Sequence, residues 1–255
     1  MPTSPKTSTV AARPVSRRTR ARAGSIDRVL ADNPNRWTVV SFHHPIFSTA
    51  RERDKAASFQ SRHLSYEMNV SGMVIPMEVR MRRPNMGVVT MTTPMGDIRS
   101  GVNGDVVWAV GPMGAQRLEG AQAEDIRIRT AFDADILFDI YPTMETVERA
   151  EFGGKACWKV RMETASGTVL HRCFDVDTGL MVAAIQNQQG MEVTAIFDQY
   201  KEFDGLKYPA HSTASAMGQT VETTLVNVSH ADIAASEFAV PVGISRVRSP
   251  QAIRL

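Results

Sequence analysis

The tightest constraint in this sequence is an alternation of side chains over residues 73–82. The odd positions Met73, Ile75, Met77, Val79 and Met81 are apolar, whereas the even ones include Glu78, Arg80 and Arg82. Successive side chains of an extended chain point to opposite sides, so this pattern makes a strand with one greasy and one wet face. Such a strand needs partners, and the sequence offers them at 86–92, 105–110, 156–162, 168–176, 180–186, 191–203, 208–217 and 220–229. Turn-forming residues separate them, among them Pro84-Asn85, Asn103-Gly104, Ser166-Gly167, Thr178-Gly179 and Asp204-Gly205. A parallel crossover needs about a dozen residues or more, and links this short exclude it. The strands therefore predict an antiparallel meander. One helix interrupts it, with Leu118, Ala121, Ile128 and Phe132 on one stripe and Glu124 and Arg127 outside that stripe.

Charge is spread unevenly along the 255 residues. Residues 1–37 hold eight Lys and Arg against Asp27 and Asp32; that net +6, within a chain total of +2, leaves the remainder at −4. Residues 1–23 are rich in Ser, Thr, Pro, Ala and Arg and almost lack large apolar side chains. Such a segment cannot offset its ordering entropy, which predicts a disordered, solvated basic arm with no nucleic-acid partner expected. No apolar run is long enough to span a bilayer. The basic stretch with Arg17-Arg18 is not followed by the apolar run of a signal peptide. Over 25–32 a short helix is expected, with Ser25 as N-cap; Asn33-Pro34 ends it, and a strand over 37–42 leads to His43-His44-Pro45.

Two cysteines, Cys157 and Cys173, make neither a disulfide framework nor a zinc site by themselves. Both are odd-numbered on the two arms of one predicted hairpin, so they share a face. Opposite or diagonal positions would bring them within bridging reach, so an oxidising compartment could link them; two unlinked, half-buried cysteines are the competing reading, and in a reducing compartment they would be free thiols. Ser166, His171 and Asp175 lie near one another in sequence, but Ser166 falls in a turn and no nucleophile elbow is present. There is no glycine-rich phosphate loop.

Two stretches resemble known families. The larger covers about 61–242. It rests on Arg83-Pro84-Asn85, on Asn103-Gly104-Asp105-Val106-Val107-Trp108 with Leu118-Glu119-Gly120, and on Gly153-Gly154-Lys155-Ala156-Cys157-Trp158-Lys159-Val160. Cys173-Phe174-Asp175-Val176-Asp177-Thr178-Gly179-Leu180 and the closing Asn227, Asp232 and Phe238-Ala239-Val240-Pro241 complete it. In order and spacing these pieces resemble the LolA-like superfamily of lipoprotein carriers and sorting proteins. The resemblance implies a mainly β, antiparallel, curled half-barrel with one or two covering helices. It also implies a cavity for lipid acyl chains or another hydrophobic ligand, no catalysis, no cofactor, and a periplasmic or cell-envelope location; without a signal peptide the location would be cytoplasmic. The smaller stretch, about 25–54, resembles the central part of calcineurin-like metallophosphoesterases, which implies that His43 occupies a metal-ligand position. The Asp-x-His, Gly-Asn-His and Gly-His-x-His segments that supply the other ligands are absent, and one ligand cannot hold two ions.

The resulting organisation is a disordered basic arm over 1–23, a phosphoesterase-like helix-strand-loop over 24–54, a LolA-like β domain over 55–245 and a tail over 246–255. The expected partner is a hydrophobic small molecule, a lipid or a lipoprotein; oligomeric state is left open. If a cavity exists, Met73, Met77, Met81, Trp158, Val160 and Met162 are the candidate lining, under a lid formed by the helix at 118–132. Flexible thioethers suit an adaptable cavity and suit a filled core equally well. A structural envelope module without ligand and an inactive phosphoesterase-related fragment are the competing readings.

Overall fold

Tight turns set the geometry of the sheet. Asp204 and Gly205 take φ of +49° and +72°, and Gly153 and Gly154 take +57° and +73°. Two consecutive left-handed residues make the two-residue turn whose twist matches that of the strands it joins. The computed structural model describes residues 55–132, 140–188, 191–216 and 219–244. The expectations for the arm, for His43 and its surrounding segment, and for the 246–255 tail lie outside the described residues.

Thirteen strands are found among the described residues. The first six are β1 (Ser61–Val70), β2 (Met73–Arg82), β3 (Met86–Thr93), β4 (Gly96–Asn103), β5 (Val106–Gly111) and β6 (Gly114–Arg117). Helix α1 (Gly120–Thr130) follows. Then come β7 (Thr143–Phe152), β8 (Lys155–Glu163), β9 (Val169–Asp175), β10 (Met181–Gln188), β11 (Met191–Phe203), β12 (Leu206–Ala216) and β13 (Gln219–Ser229). The spatial order is β6-β5-β4-β3-β2-β1-β13-β12-β11-β10-β9-β8-β7, and every pairing is antiparallel. Two meanders are thus welded where the first strand pairs with the last. The sheet is open, with β6 and β7 as its edges among the described residues: the antiparallel meander that alternation and short turns predict, in the half-barrel form that the resemblance implies.

Strict alternation fails at the weld. Leu64 pairs with Val228 and Ser65 with Asn227, but Tyr66 pairs with Leu225. Val226 is the extra residue of a bulge, and it is 54% exposed. The bulge brings an odd and an even residue of β13, Leu225 and Val228, onto the same face, where both are buried with Leu64, Val79, Met81, Leu206 and Tyr208. Ala56, in a helical turn at 55–58, and Phe132 close this cluster.

The helix also differs from its expected face. Its buried residues are Ala123 and Thr130, and Ile126 packs with Val102 and Val107, whereas Ala121 is exposed. Leu118 and Phe132 flank the helix rather than belong to it. The cause is a close approach to the sheet: a Cβ on Gly87 of β3 would stand 2.4 Å from the Thr130 Cβ. The bare strand at Gly87 decides which side of α1 turns inward. The opposite face of β3–β5 carries a second cluster, in which Val88, Val106 and Trp108 are covered by Phe238 of a short 3-10 turn, Ala235–Phe238.

Cys157 and Cys173 are joined by a disulfide with Cα atoms 5.5 Å apart. They are diagonal, since Cys157 faces Asp175 and Cys173 faces Lys159. Both are buried with Val182, Ala183, Ala150 and Phe152, on the face opposite Val160 and Met162.

Two outcomes test this packing. Replacing Gly87 with Ala should cost about 1–3 kcal/mol of stability through overpacking; an unchanged urea midpoint would show that α1 does not press on β3. The double change Cys157→Ala/Cys173→Ala should cost about 2–4 kcal/mol, read from the same unfolding curves against the oxidised wild type.

Candidate functional site

The sequence of β1 builds one wall of a cavity. Its even residues Arg62, Leu64 and Tyr66 stand opposite Met81, Val79 and Met77 of β2, so all six project from the same face. Leu170, Met181, Ala184 and Phe197 reach the same space from the second meander, and Asp125, Ile128 and Arg129 of α1 with Phe132 cover it. The cavity, open to solvent on part of its boundary, has a volume of about 460 Å³, inside the range of about 300–1,000 Å³ usual for a site that holds one small molecule. Most of the lining is apolar.

The polar groups are few and fixed. Among the described residues the ionisable lining, tyrosines aside, comprises Arg62, Arg129, Arg172, His171, His211 and one carboxylate, Asp125. Asp125 is already held by Arg129 at 2.9 Å. His211 Nδ1 meets Asp198 at 2.7 Å. Burial, followed by the nearby Lys159 and Arg161, pushes the His171 pKa below its ordinary value. Burial raises the Tyr66 hydroxyl to about 12, against the opposing pull of Arg62.

A chain of hydrogen bonds runs from the cavity wall to the surface. The Tyr208 hydroxyl lies 2.7 Å from His230 Nε2, and His230 Nδ1 lies 2.7 Å from Asp204. Burial lowers the His230 pKa, outweighing the hydrogen bond to Asp204 that favours the cation. Neutral His230 then donates through Nδ1 to Asp204 and accepts the Tyr208 hydroxyl at Nε2. Phe59 stacks on the His230 ring with centroids 3.8 Å apart. Tyr208 itself is raised to about 12, mainly by burial, so the chain orients this hydroxyl rather than ionises it.

The helix is latched to the far meander. Glu124 of α1 accepts the Thr168 hydroxyl at 2.8 Å and also the Ser166 hydroxyl, both on the β8–β9 turn. Burial resists ionisation of Glu124, but hydrogen bonds from Ser166, Thr168 and Thr164 prevail and hold its carboxyl below the ordinary value. That explains the Ser166-His171-Asp175 proximity in structural terms. Ser166 serves the latch, and Asp175 accepts the Thr178 amide at 2.7 Å and hydroxyl at 2.8 Å in the next turn.

Of the residues singled out from the sequence, Met77 and Met81 line the cavity. Met73 lies at the outer end of β2, 52% exposed. Val160 and Met162 are buried in an adjoining cluster with Tyr141 and Leu170, and Trp158, further along β8, is 39% exposed. From the helix expected to act as a lid, Asp125, Ile128 and Arg129 border the cavity. Arg62, Tyr66 and Tyr208 were not anticipated. The signal for Arg62 was available: in β1 an arginine keeps phase with Leu64, Tyr66, Met68 and Val70. Among the described residues no group of three or more His, Cys, Asp or Glu is placed to hold a metal ion. No helix among them is long and apolar enough to cross a membrane.

No protein-family model matches the sequence, and no curated protein does. Solved structures do match in fold. An outer membrane lipoprotein-sorting protein domain from Vibrio parahaemolyticus aligns over 74% of this chain and 94% of its own, with TM-score 0.54 and 12% identity. A LolA superfamily protein from Nitrosomonas europaea aligns over 71% and 90%, with TM-score 0.53 and 12% identity. A DUF1329 family protein from Desulfovibrio piger aligns over 72% and 92%, with TM-score 0.50 and 12% identity. The fold is that of a LolA-like half-barrel. The comparisons bring no support for the phosphoesterase-like segment.

The latch has a pH signature. Its contribution is fully present above the ordinary carboxyl range and fades as pH falls through the lowered folded value of Glu124. Glu124→Ala should cost about 1 kcal/mol and speed amide exchange in α1 at neutral pH. In acid the variant and wild type should converge; equal exchange at neutral pH would remove the latch.

Proposed function

We propose that the chain is a non-catalytic binding protein that holds a lipid, a lipoprotein acyl chain or a similar hydrophobic ligand in its half-barrel, within the cell envelope. The observation that carries this is the mostly apolar cavity between the sheet and α1, with Met77 and Met81 in its wall. Apolar surface left facing such a space gains about 25 cal/mol per Å² when a ligand covers it, before association costs are subtracted. Thioethers adapt to tails of differing shape.

Further support comes from the fold, which it shares with a domain named for lipoprotein sorting. The Cys157–Cys173 bridge suits an oxidising compartment such as the periplasm. The Tyr208 hydroxyl, though oriented by His230, is held far from ionisation and serves as a fixed polar point of the wall.

Native mass spectrometry of gently purified protein should show a bound apolar molecule. After its removal, a fluorescent acyl probe should rebind in the micromolar range or tighter. Ala184→Trp places an indole in the cavity and should weaken the probe about tenfold or more, in line with overpacking of a filled site. No co-purified molecule and no probe binding would leave the structural-module reading in its place.

A further inference from the structure

The proposal above specifies a tail; one side chain specifies a head. Arg62 of β1 is only 5% exposed and lines the cavity. Its guanidinium carbon lies 4.5 Å from the Phe132 ring centroid and 5.6 Å from that of Tyr208. Nη1 donates to the Phe132 carbonyl at 3.4 Å, a long contact. Nε is buried and has no acceptor. Among the described residues no carboxylate makes an ion pair with Arg62.

A buried cation is costly unless it is paired and hydrogen-bonded. The aromatic rings on either side supply part of the compensation and hold the guanidinium in place. The Phe132 ring offers no oxygen acceptor, and the Tyr208 hydroxyl, which Arg62 meets, still leaves Nε without one. The one carboxylate on the lining among the described residues, Asp125, is engaged by Arg129. The cavity therefore carries an excess of positive charge at a fixed, desolvated point. Tyr66 stands four residues along β1, about 13 Å away at the rise of a strand, opposite Met77. One strand thus presents a cationic end and an apolar end to the same space.

We propose that the cavity's ligand is a single-chain amphiphile with an anionic oxygen head, seated so that the head takes the free donors of Arg62 and the tail lies along Leu64, Val79 and Met77. A planar carboxylate, as in a long-chain fatty acid, matches the guanidinium fork by two parallel hydrogen bonds. A phosphate monoester offers the same oxygens. This inference rests on the reading of the cavity as a ligand site and adds the chemistry of the head.

The test uses the full chain stripped of lipid and titrated calorimetrically with dodecanoate, dodecyl phosphate and dodecanol. Wild type should bind one of the two anions at least about tenfold more tightly than the alcohol, the increment expected for hydrogen bonds to a charged group. Whichever anion binds more tightly identifies the head. Arg62→Met, which keeps the apolar stem, should bind acid and alcohol alike, and Arg62→Lys should keep part of the preference. Equal affinity of wild type for anions and alcohol overturns the proposal while leaving the apolar cavity intact. Failure of all three ligands to bind overturns both. The wild-type comparison decides the matter even if a variant does not fold.

Discussion

The pairing of β1 with β13 is the constraint on which the rest depends. Residues more than 150 positions apart, such as His63 and Ser229, become neighbours in one ladder. Without that seam the chain would be two separate meanders, each with a greasy face and nothing to cover it. With it, both greasy faces bend around one space. The seam holds because its centre is buried. Leu64, Leu225 and Val228 lie at its centre, and the bulge at Val226 lets β13 supply two inward residues of opposite parity. At the rates typical of core Leu→Ala changes, about 2–5 kcal/mol each, a few such residues equal the whole net stability of an ordinary domain, about 5–15 kcal/mol.

Several polar groups in this interior are immobilised by a neighbour. Tyr208 is anchored by His230, and His230 by Asp204 in a turn whose backbone is itself fixed in the left-handed region. Glu124 ties the cover to the opposite rim through hydroxyls. Arg62 sits between two rings. Low-dielectric surroundings strengthen such contacts and make vacancies expensive. Hence a cavity mostly lined by hydrocarbon can still discriminate between ligands by their polar end.

How much of this could be read from the sequence depends on which physical signal each feature leaves in it. Alternation at 73–82 placed β2 to the residue, and with it Met77 and Met81 on the cavity side. Turn chemistry located most of the hairpins, because glycine at a left-handed position is a local requirement. The helix was found by its apolar spacing, but its inward face was not, since Gly87 and Thr130 meet only in three dimensions. Val160 and Met162 share the correct face, yet a strand's face does not say how far along it a cavity extends. Arg62 left a legible trace as a cation in an apolar register. The Tyr208–His230–Asp204 chain left none, because nothing local joins those positions.

An open half-barrel keeps two free rims, and β7 shows how one of them is kept harmless. Among the described residues that strand pairs only with β8. It carries Glu145, Glu148, Arg149 and Glu151 exposed on a ten-residue edge. A register shift between Thr146 and Glu148 sets Val147 apart from the ladder. Charges and a kink both spoil the template that an unpaired strand offers to a passing chain. The same charges and kink that break the apolar–polar alternation of β7 thus make this rim a poor seat for an added strand.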